Sequence, residues 1–389
     1  MTILIAFALA PLFILTSGFA IEVLLGLRHL KLGAVSGGGA SAVIIVPAHN
    51  EAALLQGRLA ALSDAAKGQA NILLVADNCS DKTAAISRSL GVETIERFDS
   101  ERRGKGFALD FARRHLERTP PQIVIIVDAD CAIDSGSLGR LIARCASTGS
   151  PQQATNLQAP APTASPSVQL STFAFYIKNV VRQRALQRIS GRVNLLGTGM
   201  AFPWGTFAEA RLATSDIVED LKLGQELAAE GHPPLFAEDA TVWSAAETDR
   251  NTLSQRSRWE GGFLRNALFV SPAFLLRSIG RADGAGVWAA VNLMIPPFAL
   301  LILIDGLALI VTAVMSWSFN ASNWPVFVLA GSFVVAIVGL LLAWISGGHR
   351  FVSARSLAQA PFYVLWKLPM YVGFVRKGAP KEWLRTQRE

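Results

Sequence analysis

The sequence predicts a doubly wound α/β domain tethered to a membrane by long apolar segments. Three observations predict it. Between residues 42 and 145, short apolar runs of strand length alternate with stretches of helical periodicity. The runs end in turns that carry carboxylates. Outside that region lie uninterrupted apolar stretches of the roughly 20 residues needed to cross a bilayer. Composition agrees: of 389 residues, 51% are apolar and 17% charged, against about 25% charged in ordinary soluble chains. This excludes a disordered, collagen-like or highly charged fibrous protein. Lys and Arg number 36 and Asp and Glu 29, a net charge of +7. That excess suits anionic lipid or a phosphorylated ligand and does not call for nucleic acid.

The first element, residues 3–27, has Glu22 as its sole charge. It lacks a basic leader and is too long for a signal peptide, so it reads as an uncleaved anchor. Residues 42–46, 71–76, 93–97 and 123–127 read as strands. Residues 51–67, 82–90 and 105–117 read as the helices between them. Continuous apolar strands alternating with helices indicate a sheet covered on both faces. Residues 149–167, rich in Pro, Ala, Ser and Gln, read as a loop leaving the sheet. Residues 168–189 form an amphipathic helix, with Phe173, Tyr176, Ile177 and Val180 among Lys178, Arg182, Arg184 and Arg188. A packed helix with a solvated basic face and a helix on the membrane surface are both open.

Two further spans follow at 287–316, with Asp305 as its sole charge, and at 324–345. Residues 357–375 contain Pro361, Lys367 and Pro369. They suit an interfacial helix better than a span. The basic tail of Arg376, Lys377, Lys381, Arg385 and Arg388 suits anionic headgroups. Arg28 and Lys31, Arg277 and Arg281, and Arg350 and Arg355 flank the spans on one side. By the positive-inside rule that side is cytoplasmic. The expected organisation is an anchor at 1–30, a cytoplasmic catalytic domain at 40–270, an interfacial segment with two spans at 271–350, and an interfacial helix with a basic tail at 351–389. Cys79, Cys131 and Cys145 form no zinc or disulfide pattern and read as reduced thiols.

No Gly-rich phosphate loop follows the first strand, so neither a dinucleotide fingerprint nor a P-loop is present. In a doubly wound sheet, ligands bind beyond the carboxyl ends of the strands. The turns at 47–51, 77–81 and 128–130 fall there. Asp128 and Asp130, directly after a strand, supply hard oxygens for Mg2+ or Mn2+. A helix over 216–231 opens with Asp216, Glu219 and Asp220. Asp216 and Glu219 fit an N-cap and its capping-box partner, which leaves Asp220 as a general base. Gln255 and Trp259 share a helix face, with Arg256 and Arg258 beside it. Arginine forks bind phosphate oxygens, and a Trp can stack on a sugar or anchor at the bilayer interface. Lys105, before a helix, is placed to bind an anion or to be solvated. The turn 197–200 is a substrate-lining loop or a connector. His49 and His232 are assigned no role.

Taken in order, Pro47 to Glu51, Asp77 to Asp81, Lys105-Gly106, Asp128-x-Asp130, Gly197 to Gly199, Glu219-Asp220 and Gln255-x-x-Arg258-Trp259 resemble the membrane-bound family-2 glycosyltransferases. That group contains cellulose, chitin and hyaluronan synthases and ceramide glucosyltransferase. The resemblance covers about residues 40–270. It implies a glycosyltransferase-A fold, an inverting mechanism, and a nucleotide-sugar donor, usually a UDP-sugar. By the same resemblance Pro47, Glu51, Asp77 and Lys105 hold the nucleotide, and Asp128 and Asp130 take the donor and its metal. Asp220 is the base of a Thr-Glu-Asp motif whose Thr is here Val218. Gln255, Arg256, Arg258 and Trp259 hold the pyrophosphate and line the acceptor site, with Gly199 and Glu219 also near the acceptor. Three spans look too few to build a polymer channel. Single transfer to a membrane lipid or lipid-linked saccharide is therefore expected over processive synthesis. Compact loops and an Ala-rich composition suit a bacterial inner membrane, with an endomembrane location as the alternative. A nucleotide-sugar-binding subunit without turnover is the reading from another class, opposed by the intact carboxylates.

Overall fold

The computed structural model describes residues 1–35, 39–216, 218–244, 257 and 259–377. Among these, the chain forms two compact units. One comprises residues 29–159 and 191–244, and the other residues 1–28, 160–190 and 257–377.

The first unit is built on one eight-stranded mixed sheet. Its strands are β1 (Ala42–Ala48), β2 (Asn71–Asp77), β3 (Glu93–Arg97), β4 (Ile123–Ile126), β5 (Cys131–Ile133), β6 (Gln152–Gln158), β7 (Met200–Pro203) and β8 (Leu235–Ser244). Their order is β3-β2-β1-β4-β7-β6-β8-β5. The β3-β2-β1-β4 half is parallel. β7 then runs antiparallel to both β4 and β6. Side chains alternate between two cores, as a sheet covered on both faces requires. Ile44, Val46, Ile125 and Val127 pack on one face with Leu55, Leu59, Leu138 and Leu141. Ile45, Val124 and Ile126 pack on the other with Leu109, Phe202 and Phe207. Each fully buried Leu or Ile contributes about 1.5–3 kcal/mol. All seven elements expected between residues 42 and 127 form within a residue or two of their expected ends.

Two expectations in this unit are overturned. Residues 149–167 are not all loop, because Gln152–Gln158 is the interior strand β6, paired on both edges. Its composition hid it. Gln152, Gln153, Thr155, Asn156 and Gln158 are all buried, and a buried polar strand carries none of the apolar alternation that marks a strand. Nor is Asp216 a helix cap. The helix runs Glu219–Ala229 and its N-cap is Val218, without a side-chain bond. Asp216 lies too early to cap it, and its carboxylate instead accepts from Lys222 Nζ at 3.0 Å.

The second unit is helical. Among the described residues, three helices are long and apolar enough to cross a membrane: Thr2–Gly26, Phe298–Ser318 and Trp324–Ser346. The second begins at Phe298, not at 287. Pro296 and Pro297 supply no amide hydrogen and break the stretch, so Gly284–Met294 is a separate helix. Residues 166–190 form helix Pro166–Tyr176, a π turn over Ile177–Val181, and helix Arg182–Ser190. The solvated basic face, one of the two open readings, is absent at Arg182 and Arg184, which are buried. Arg182 Nε donates to Glu22 Oε2 at 2.6 Å. Asn292 Nδ2 and Trp288 Nε1 donate to Glu22 Oε1 at 2.8 and 3.2 Å. The sole charge of the first span is thus fully satisfied inside the unit. Asp305, in the second span, accepts from Thr16 Oγ1 at 2.9 Å. Residues 357–375 form no single helix; they are divided among Ala354–Leu357, Ala360–Trp366 and Leu368–Lys377. Lys367 is buried there and bonds Glu260, as does Tyr371 Oη at 2.7 Å.

Candidate active site

The carboxyl ends of β1, β2 and β4 carry the expected turns. After β4 the chain makes a tight turn, with Cys131 N donating to the Asp128 carbonyl at 2.9 Å. Oxygens of Asp128 and Asp130 and the Cys131 sulfur lie within 4.8 Å of one another. Burial, aided by the charges of Asp130 and Asp128, pushes the Cys131 thiol far up, so it is protonated. Its Sγ donates to Asp130 Oδ1 at 3.5 Å. The donors left for a cation are two half-buried carboxylates. That set fits a hard divalent ion such as Mg2+ or Mn2+.

Lys105 opens the helix Lys105–Leu116 and turns its ammonium onto the same point. It bonds the Asp128 carboxylate and donates to the Gly197 carbonyl at 2.6 Å. Burial opposes its charge, but Asp128, Glu219 and Asp220 outweigh burial and raise its pKa. Its side chain is 19% exposed, so it is a positive charge set inside the site.

The loop before β7 completes the arrangement. Gly197 and Gly199 hold φ of 85° and 65°, in the left-handed region open to glycine. A Cβ on Gly197 would lie 3.4 Å from Asp220 Oδ2 and 3.6 Å from Lys105 Nζ. The Gly197 backbone thus faces the expected base and the expected donor-binding lysine together. Thr198 Oγ1 accepts from the Asp128 amide at 3.1 Å. Gly199 is buried in the sheet, its amide donating to the Ile126 carbonyl at 2.8 Å. It shapes the loop from behind, while Gly197 fronts the site.

Asp220 sits in the first turn of Glu219–Ala229, its Oδ1 accepting from the Leu221 amide at 2.9 Å. Burial first, then the Asp220 carboxylate, pushes Glu219 up to about 8, against the pull of Lys105. Adjacent carboxylates resist double ionisation, which adds to burial in favouring the protonated form of Glu219.

At the β1–β2 end, Asp77 is buried and accepts from Arg97 at 2.6 Å. The His49 ring, at Nδ1, meets the Asp77 carbonyl at 2.7 Å. Glu51 N donates to Thr83 Oγ1 at 2.9 Å, which fixes the turn after Pro47. Arg97, at the end of β3, carries no motif and was missed; its place at a parallel strand end was the available signal. Gln255, Arg256 and Arg258 lie outside the described residues. Trp259 belongs to the helical unit, 36% exposed, its ring centroid 6.0 Å from that of Phe175.

The mixed sheet thus presents a carboxylate turn at the end of a central strand, with a lysine and a second pair of carboxylates beside it. The family described as glycosyltransferase like family 2 matches residues 40–262, and the chain belongs to it. Among curated proteins, none matches in sequence. The mannosyltransferase PcManGT from Pyrobaculum calidifontis, in complex with GDP-Man and Mn2+, is similar at 17% identity and TM-score 0.58, over 95% of this chain and 100% of that one. The glucosyl-3-phosphoglycerate synthase from Mycobacterium tuberculosis, with Mn2+, UDP and phosphoglyceric acid, aligns over 57% of this chain and 78% of that one, at 16% identity and TM-score 0.36. TarS 1–349 of S. aureus aligns over 65% and 90%, at 12% identity and TM-score 0.38.

Proposed function

We propose that the protein transfers a sugar, with inversion, from a nucleotide sugar, in the first instance a UDP-sugar, to a hydroxyl of a membrane lipid or lipid-linked saccharide. The observation that carries this reading is the meeting of Asp128, Lys105, Gly197 and Asp220 at one sheet edge. It sets a cation, a carboxylate turn and a base around one point. Asp128 and Asp130 would hold Mg2+ or Mn2+, which offsets the charge of a diphosphate leaving group. Lys105 contributes fixed positive charge to the same diphosphate. Asp220 takes the proton of the acceptor hydroxyl as its oxygen attacks the anomeric carbon from the face opposite the nucleotide. Arg256 and Arg258 carry the pyrophosphate-binding role given by the family motif. A membrane acceptor is supported by the three apolar helices, and a cytoplasmic catalytic face by the Lys and Arg that flank them.

The test is nucleotide release by the full chain in nanodiscs with Mn2+, across UDP- and GDP-sugars, with and without bacterial lipid extract. The expected result is release that needs one sugar, the lipid extract and Asp220, and that EDTA abolishes. Release independent of lipid would sink the lipid-acceptor reading. No Asp220-dependent release with any sugar would sink the transferase mechanism.

A further inference from the structure

β6 brings a fully buried glutamine to the back of the site. Gln153 is 0% exposed, and its amide is spent on the loop before β7. Gln153 Oε1 accepts from the Leu196 amide at 2.8 Å. Its Nε2 donates to the Thr198 carbonyl at 2.9 Å, and also to the Ala154 carbonyl at 2.8 Å. The glutamine thus grips the loop on both sides of Gly197. That tripeptide is the one that touches the chemistry: Gly197 accepts from Lys105 and faces Asp220, and Thr198 accepts from the Asp128 amide. Loop backbone with a left-handed residue has no ladder of its own to hold it. A buried amide with a donor and an acceptor in fixed geometry supplies that ladder.

Building on the donor-site reading above, we propose that Gln153 is a positioning residue for transfer. It sets the Leu196–Thr198 backbone and, through it, the relative placement of Lys105, Asp128 and Asp220. The competing explanation is that Gln153 merely satisfies its own buried polarity. The two differ in what they do to nucleotide affinity. Loss of a purely structural bond lowers the folded fraction and leaves the affinity of folded molecules alone. Loss of positioning weakens nucleotide binding in molecules that are folded.

The experiment compares four variants with the wild-type chain in nanodiscs. Gln153→Met keeps the shape and removes both loop bonds. Thr198→Val removes the bond to the Asp128 amide together with the hydroxyl's contact with the Cys131 thiol, and Thr198→Ser restores the hydroxyl. Thr155→Val removes a buried bond from the same strand, to the Glu238 carbonyl at 3.1 Å, away from the loop. UDP and GDP, each with Mn2+, are titrated calorimetrically at a temperature where circular dichroism shows each variant folded. Gln153→Met and Thr198→Val are expected to raise the Kd about 10- to 100-fold, the scale on which loss of outer-shell partners weakens metal sites. Thr198→Ser and Thr155→Val are expected to bind as the wild type does. Folded Gln153→Met with wild-type affinity would overturn the proposal. If that variant does not fold, wild-type affinity in Thr198→Val overturns it instead. Wild-type protein that binds neither nucleotide would overturn the donor-site reading, and the role of Gln153 with it.

Discussion

At the scale of single residues, Asp220 and Gly199 allow the proposed chemistry and the packing of the loop to be tested apart. Asp220→Asn removes the proposed base and keeps the shape, so transfer should fall by about 10²–10⁴-fold, the usual contribution of a positioned base. Nucleotide affinity should change little; a parallel loss of affinity would mean that Asp220 holds the donor. Gly199→Ala should act on stability. Its Cβ would fall 2.7 Å from Val242 Cγ2, at a φ of 65°, and overpacking of this kind costs about 1–3 kcal/mol. A lowered Tm is the expected reading, and an unchanged Tm would show that the loop can shift to accept the methyl.

Individual elements show where sequence was enough and where it was not. Strands β1, β2 and β4 were legible because each is a dense apolar run that must be buried on both faces. β6 was not, because its five polar side chains carry no apolar alternation, and several are satisfied inside the sheet by residues far along the chain, as Thr155 is by Glu238 and Gln153 by Leu196 and Thr198. The same limit hid Gln153, whose role lies in a contact 43 to 45 residues away. Asp128, Lys105 and Asp220 could be picked out one by one, but their meeting at Gly197 is a tertiary fact. The helix Ser135–Thr148 is held to β8 by Arg144 Nε, which donates to Asp239 Oδ1 at 2.6 Å. Burial works against the Asp239 charge, yet the Arg144 bonds and charge outweigh it and hold the carboxyl below its usual value. A depressed folded-state pKa contributes stability above the unfolded pKa, which is lost as pH falls through the folded one. Tm should therefore decline below about pH 4, and the decline should be shallower in Asp239→Asn. Equal slopes would remove this pair from the account.

On the scale of the whole molecule, the buried polar cluster of the helical unit is the point of greatest sensitivity. Glu22→Ala would leave Arg182, Asn292 and Trp288 without their shared acceptor. Stranding one partner of a buried pair costs about 3–5 kcal/mol. The variant should lose most of its folded yield in detergent, and wild-type yield would show that the cluster is dispensable. Orientation is tested separately. A cysteine placed at Ser322, in the turn between two apolar helices, should react with an impermeant thiol reagent added from outside intact cells, and only after lysis if the orientation is reversed.

The order of β6, β7 and β8 along the chain also bears on biosynthesis. β6 leaves the ribosome well before either neighbour, and residues 160–190 are made in the interval as part of the other unit. Having few apolar side chains, β6 cannot be drawn into place by collapse. Its backbone and amides stay hydrated until β7 and β8 exist, so the sheet closes only after residue 244 has been synthesised. A ribosome-stalled chain ending short of β8 should therefore hold an incomplete sheet, with the β6 backbone still open to proteolysis.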